Sequence, residues 1–195
     1  MDYVNHIPQP DENGVRLFCG PEEIADVFDV AMIRERPAFK NIPEPGRGVL
    51  LVDIGGGNKH LFGYERLDWP TWDAESMPMP YEDGSVDALF SAHAFDHFTA
   101  HGVVRVLAEG QRVLKPGGTF TIVVPHFMST LAMECLEHHT RFGIKTWRNI
   151  LSNPAYIPHL QPGGIEWELS VGFNMIMGVE ERNLVLVTQL VKNGA

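Results

Sequence analysis

The stretch Val49-Leu50-Leu51-Val52-Asp53-Ile54-Gly55-Gly56-Gly57-Asn58 decides the architecture. Its first half is a short apolar run with β-branched residues, the pattern of a strand buried on both faces. Its second half removes Cβ at three successive positions. The backbone can therefore turn tightly at the strand end, and a ligand can approach it closely. In open α/β sheets, ligands lie at that carboxyl edge. A dinucleotide fingerprint would need glycine at the sixth position of G-x-G-x-x-G. Counting from Gly55, that position is His60, which counts against NAD.

Downstream, strand and helix patterns alternate. Tyr64–Asp68, Val86–Phe90 and Thr119–Val124 read as short strands, and Phe95–Val113 as a helix between the last two. Lys115-Pro116-Gly117-Gly118 then ends the helix, because proline cannot continue it and glycine supplies turn conformations. Trp167–Ile176 and Asn183–Val191 are extended runs around a glycine-containing turn, an antiparallel hairpin. Upstream, Ile24, Val27, Phe28, Ala31 and Met32 recur at helical spacing between Pro21 and Arg36, with Glu22 and Glu23 in the first turn. The expected fold class is α/β, with a mostly parallel sheet, helices on both faces and an antiparallel C-terminal hairpin. One domain spans 1–195, with 1–45 as an N-terminal cover or lid and 46–195 as the core.

A chain of 195 residues buries one full α/β core but not two. The net charge of -10 argues against a broad basic groove for nucleic acid, which would then require a partner subunit. No apolar run reaches the roughly 18 to 20 residues of a membrane-spanning helix. The opening MDYVNHIPQPDENG carries acids and prolines where a signal peptide has a basic start and an apolar stretch. Cys19 and Cys135 form no CxxC pair, in keeping with a reducing compartment. The expectation is a cytoplasmic protein without membrane contact, with homo-oligomerisation left open.

Three segments carry a family resemblance. They are VDIGGGNKHLFGYERLD with the following WDAESMPMP, then YEDGSVDALFSAHAFDHF, and then RVLKPGGTFTIVVPHF. Over about Val49 to Phe127 the chain resembles class I S-adenosylmethionine-dependent methyltransferases, especially short methyltransferase-domain proteins. The resemblance implies a Rossmann-like fold with S-adenosylmethionine as cofactor. It also implies that Asp53, Gly55, Gly56 and Gly57 border the methionine and ribose portion, that Asp68 grips the ribose hydroxyls, and that Asp73 contacts adenine. Trp69, Ala74 and Ser91 complete the implied cofactor-binding set. A carboxylate suits the ribose role because it accepts from two vicinal hydroxyls at once, and charge-assisted bonds are stronger than neutral ones. One departure stands out: Gly55 and Asp68 are too close in sequence for a full crossover helix, so that helix must shrink to a turn or loop.

His93, His97 and His101 recur every fourth residue, as metal ligands on one helix would. The resemblance instead puts His93 in the strand-to-helix loop and His97 near the helix start, so no metal site is expected. In the resembled family the acceptor approaches over the ends of the fourth and fifth strands. This makes His93, His126 and His139 candidate proton acceptors, histidine being suited to titrate near neutrality. Trp147, Tyr156 and Trp167 either line an acceptor pocket or belong to the core. The leading expectation is methyl transfer to an oxygen, nitrogen or carbon of a small-molecule acceptor. A non-catalytic S-adenosylmethionine-binding or partner-binding module and a nucleotide-sugar or NAD-dependent enzyme are the competing readings.

Overall fold

The computed structural model describes residues 43–57, 63–129, 132–133, 135–152, 174–177 and 185–192. The helix expected at 21–36, together with Tyr156 and Trp167, lies outside the described residues. Strands β1 (Leu51–Ile54), β2 (Glu65–Leu67) and β3 (Val86–Ala92) precede helix α1 (Ala100–Val113). Strand β4 (Leu114–Pro125), helix α2 (Ile144–Ser152), β5 (Asn174–Met177) and β6 (Val185–Val191) follow. They form a six-stranded sheet in the order β2-β1-β3-β4-β6-β5. The β1–β2, β1–β3 and β3–β4 pairs are parallel, while β4–β6 and β5–β6 are antiparallel. This is the α/β class expected, with the antiparallel hairpin at one edge.

Side-chain alternation divides the sheet into two faces. Val52, Ile54, Leu89, Phe120, Ile122, Val124, Leu186 and Leu190 point one way into the main core. Leu51, Phe90 and Val123 point the other way and are buried as well, as a sheet covered on both sides requires. Helix α1 sends Val103, Val106, Leu107 and Val113 into the main core. Its Gly110 lets Phe120 and Leu89 come close, where a Cβ would meet Phe120 at 3.0 Å and Leu89 at 3.1 Å. Phe95 joins helix α2 to the sheet, with its ring 5.6 Å from Phe120, 6.5 Å from Phe142 and 6.2 Å from Trp147. Trp147 is fully buried and stacks on Phe142, which assigns it to the core rather than to a pocket wall.

Helix α1 begins later than its apolar period predicts. Residues 95–98 form turns, and Thr99 is the N-cap, accepting the Gly102 N–H at 3.1 Å. A side-chain oxygen there satisfies a backbone donor that the helix itself leaves open. Phe95 is apolar because it anchors the aromatic cluster, not because it rides on the helix. At the other end, Leu114 is already extended and β4 starts at once, so Lys115-Pro116-Gly117-Gly118 belongs to the strand instead of preceding it. The backbone N–H and carbonyl of Lys192 pair with Gly118 and Gly117, and Gly117 has φ 78°. A side chain at Gly118 would press on the Lys115 and Asp87 carbonyls at 2.9 and 3.0 Å, so glycine is needed for this close pairing.

Candidate functional site

Strands β1 and β2 are joined only by residues 55–64, of which 58–62 lie outside the described residues. Parallel neighbours usually need a crossover of a dozen or more residues. The connection opens with the glycine turn. Gly55 and Gly57 have φ of 71° and 57°, which glycine adopts without the Cβ penalty. The Gly55 N–H donates to the Leu67 carbonyl at 2.9 Å, and a side chain at Gly55 would collide with Ala94 Cβ. The loop after β3 therefore rests directly on the glycine turn. A Cβ at Gly57 would meet nothing within 4 Å among the described residues.

Asp68, at the end of β2, holds this turn. Its Oδ2 accepts the Gly57 N–H at 2.8 Å and an Arg66 N–H at 3.1 Å, and its Oδ1 accepts the Trp69 N–H at 2.8 Å. A carboxylate has about four acceptor positions, so capacity remains on Oδ1. Beside it, the Trp69 ring is 69% exposed. Asp53 is 2% exposed within β1 and pairs in register with Arg66 and Phe90. Ser91 is fully buried and its hydroxyl donates to the Ile54 carbonyl at 2.9 Å, locking β3 to the end of β1 beneath the turn.

Asp73 shapes the next loop. It accepts the Ser76 hydroxyl at 2.6 Å and the Glu75 N–H at 2.9 Å, bonds that hold its carboxyl below the usual carboxylate value. Ala74 is buried beside it. Glu75 then reaches the N-terminus of α1, accepting both the N–H and the hydroxyl of Thr99 at 2.8 and 2.6 Å. An acid there also complements the helix dipole. Sequence reading missed this clamp. Its only local trace is a glutamate just after Asp73, and the partner is far along the chain.

The other half of the carboxyl edge gathers histidines. His93 follows β3 with φ 54°, an uncommon conformation for a residue with a side chain, and its N–H donates to the Val123 carbonyl at 2.9 Å. Burial pushes its imidazole below the ordinary value, against the pull of Asp96. Asp96 is 2% exposed, and His138 Nε2 lies 2.9 Å from its Oδ2. The His97 and His138 rings meet edge to face at 4.7 Å. His126 closes β4, forms a bridge with Phe142, and accepts the Met128 N–H on Nδ1 at 3.3 Å. Burial also lowers its pKa. His139 is exposed and His101 sits exposed in the first turn of α1, so the fourfold spacing of His93, His97 and His101 does not mark one helical face. Beyond β4, Phe127, Met128, Met133 and Leu136 are exposed apolar side chains.

Residues 52–122 match the family model described as a methyltransferase domain. Among solved structures, the CurJ carbon methyltransferase superposes with a TM-score of 0.51 at 14% identity, covering 80% of this chain and 51% of that one. A SAM-dependent methyltransferase from Archaeoglobus fulgidus gives 0.50 at 12% identity, covering 77% of this chain and 89% of that one. At such identities these structures speak for the fold, while the family model speaks for the domain. The chain thus carries a segment similar to methyltransferase domains over residues 52–122, on a sheet with the fold of S-adenosylmethionine-dependent methyltransferases.

Proposed function

We propose that the chain transfers the methyl group of S-adenosylmethionine to an oxygen, nitrogen or carbon atom of a small-molecule acceptor. The observation that carries this reading is the pairing of Asp68 with Gly57, which sets a carboxylate with spare acceptor capacity at the carboxyl edge of β1 and β2, with no other described residue within 4 Å of a Cβ at Gly57. The residues fit the cofactor. Asp68 suits vicinal hydroxyls, the exposed Trp69 ring suits a flat base, and Asp73 with Ala74 forms the next loop along the rim. Asp53, Gly55 and Gly56 form the strand end and turn, and Ser91 supports them from below. When bound, S-adenosylmethionine supplies an electrophilic methyl on a cationic sulfur.

The chain's own part in the reaction is alignment and proton handling. An acceptor held in line with the methyl gains most of what the reaction needs from the protein. His126 is our choice of proton acceptor, since it follows β4 beside the exposed Phe127 and Met128, burial lowers its pKa, and its basic Nδ1 is engaged only by the long 3.3 Å bond from the Met128 N–H, which an acceptor's proton would displace. His93 is set deeper, with Nε2 buried, and His139 lies on the outside. Phe127 and Met128 offer an apolar surface to an acceptor.

A second reading, a non-catalytic S-adenosylmethionine-binding or partner-binding module, is favoured by the short β1–β2 connection, which leaves no room for a full crossover helix in the pocket wall. Calorimetric titration with S-adenosylmethionine and S-adenosylhomocysteine, with NAD as control, tests the cofactor site. Micromolar binding that weakens at least tenfold in Asp68→Ala is expected, and no binding by the folded protein would overturn the proposal. Binding without methyl transfer across a panel of small oxygen, nitrogen and carbon acceptors would favour the module.

A further inference from the structure

Asp96, His97 and His138 have a geometry that the methyl-transfer reading does not use. One carboxylate oxygen and one nitrogen from each ring lie within 4.8 Å of one another. His138 Nε2 is at ion-pair distance from Asp96 Oδ2, yet neither Asp96 oxygen receives a properly directed hydrogen bond. His138 Nδ1 is also buried without a partner. Leaving such groups unmet in a buried site is unfavourable, more so for a charge. Ligand atoms that converge on a metal ion behave in this way, because their lone pairs aim at a shared point rather than at each other.

We propose that Asp96, His97 and His138 bind a divalent transition-metal ion of the zinc type. One carboxylate and two imidazoles form a donor set that such ions favour over magnesium or calcium, which prefer all-oxygen cages. Metal–ligand bonds of about 2.0–2.1 Å around a tetrahedral ion place the ligands about 3.3 Å apart. The 2.9 Å Asp96–His138 contact has to open by only about 0.4 Å to reach this spacing. Three protein ligands leave a fourth position for water or a substrate atom.

The surrounding backbone already fixes the ligands. The Thr140 N–H donates to the Asp96 carbonyl at 3.1 Å, and its hydroxyl donates to the Phe98 carbonyl at 2.6 Å. The His97 N–H donates to the Ala94 carbonyl at 3.0 Å, and the His138 N–H to that of Cys135 at 3.3 Å. Thr140 thus ties the segment carrying His138 to the loop carrying Asp96 and His97, and an ion would tie them again through side chains.

The test needs no cofactor and stands apart from methyl transfer. The untagged 195-residue chain is titrated with zinc by calorimetry and with cobalt by visible absorption, while unfolding is followed with and without zinc. One equivalent per chain is expected, with a tetrahedral cobalt spectrum and a zinc-dependent rise in Tm. Asp96→Asn and His138→Gln should each weaken zinc binding at least tenfold, and His101→Gln, at an exposed histidine outside the cluster, should leave it unchanged. If either core variant fails to fold, His97→Gln, at the partly exposed ligand, carries the test. Failure of the folded wild type to bind one equivalent, or equal zinc affinity in wild type and the folded ligand variants, would overturn the proposal and leave Asp96 and His138 as a plain ion pair.

Discussion

The carboxyl edge of the sheet has two halves that differ in how their polar groups are satisfied. On the β1–β2 side, Asp68 and Asp73 are served by near neighbours: Asp68 by Gly57, Arg66 and Trp69, and Asp73 by Glu75 and Ser76. On the β3–β4 side, Asp96, His93 and His138 hold buried polar atoms that lack hydrogen-bond partners. Buried polar groups are normally paired, so unpaired ones call for a partner such as a water or an ion. The first half is held by its own hydrogen bonds around Asp68 and Asp73. The second is a set of groups with chemistry left over.

Substitutions at the turn should separate the two halves most sharply. Gly55→Ala combines left-handed strain with a collision against Ala94, and should destabilise the fold by about 3 kcal/mol in chemical denaturation. Adding Ala94→Gly should recover the collision part but not the strain. Gly57→Ala, where a Cβ meets no described residue within 4 Å, should cost only about 1–2 kcal/mol. Equal losses at the two glycines would mean that the loop after β3 does not rest on the turn.

The next effect down is that of Asp68→Ala, whose expected tenfold loss of cofactor affinity corresponds to about 1.4 kcal/mol. Asp68→Asn should lose less, since the amide oxygen can still accept the Gly57 N–H. Thr99→Ala removes an N-cap and the hydroxyl bond to Glu75, and should cost about 1 kcal/mol of stability. Because Glu75 belongs to the Asp73 loop, this variant should also weaken cofactor binding in calorimetry. An unchanged affinity would detach that loop from the site.

The smallest effect lies away from both halves. Burial pushes the Asp87 carboxyl up, but the hydrogen bonds from Lys115 at 2.7 Å and Leu50 at 2.9 Å, with the Lys115 charge, outweigh it and hold the carboxyl below its ordinary value. A lowered folded pKa means that Asp87 adds stability above the unfolded value of about 3.9, and that this is lost as pH falls through the folded value. Asp87→Asn should therefore reduce stability at pH 7 by less than about 1 kcal/mol, since Lys115 is 40% exposed and screened by solvent. It should also flatten the acid limb below about pH 4 in a Tm-against-pH series. An unchanged acid limb would show the pair to be energetically silent.

The sequence by itself determined β1, the glycine turn, the acid at the end of β2 and the antiparallel hairpin. Each is written in residues close together, as apolar runs, missing Cβ atoms and turn chemistry. It misplaced the start of α1, because Phe95 fits a helical period while serving the aromatic cluster, and it set the glycines at 117 and 118 outside a strand that uses them for close pairing. Only the tertiary structure decided that His138 meets Asp96 and His97 while His101 faces solvent. Sequence spacing reports contacts within one element. The Asp96–His138 contact instead depends on Phe142 and Trp147 packing on Phe95 and on Thr140 bonding the Asp96 and Phe98 carbonyls, and those long-range contacts form only when the sheet and its helices close into one core.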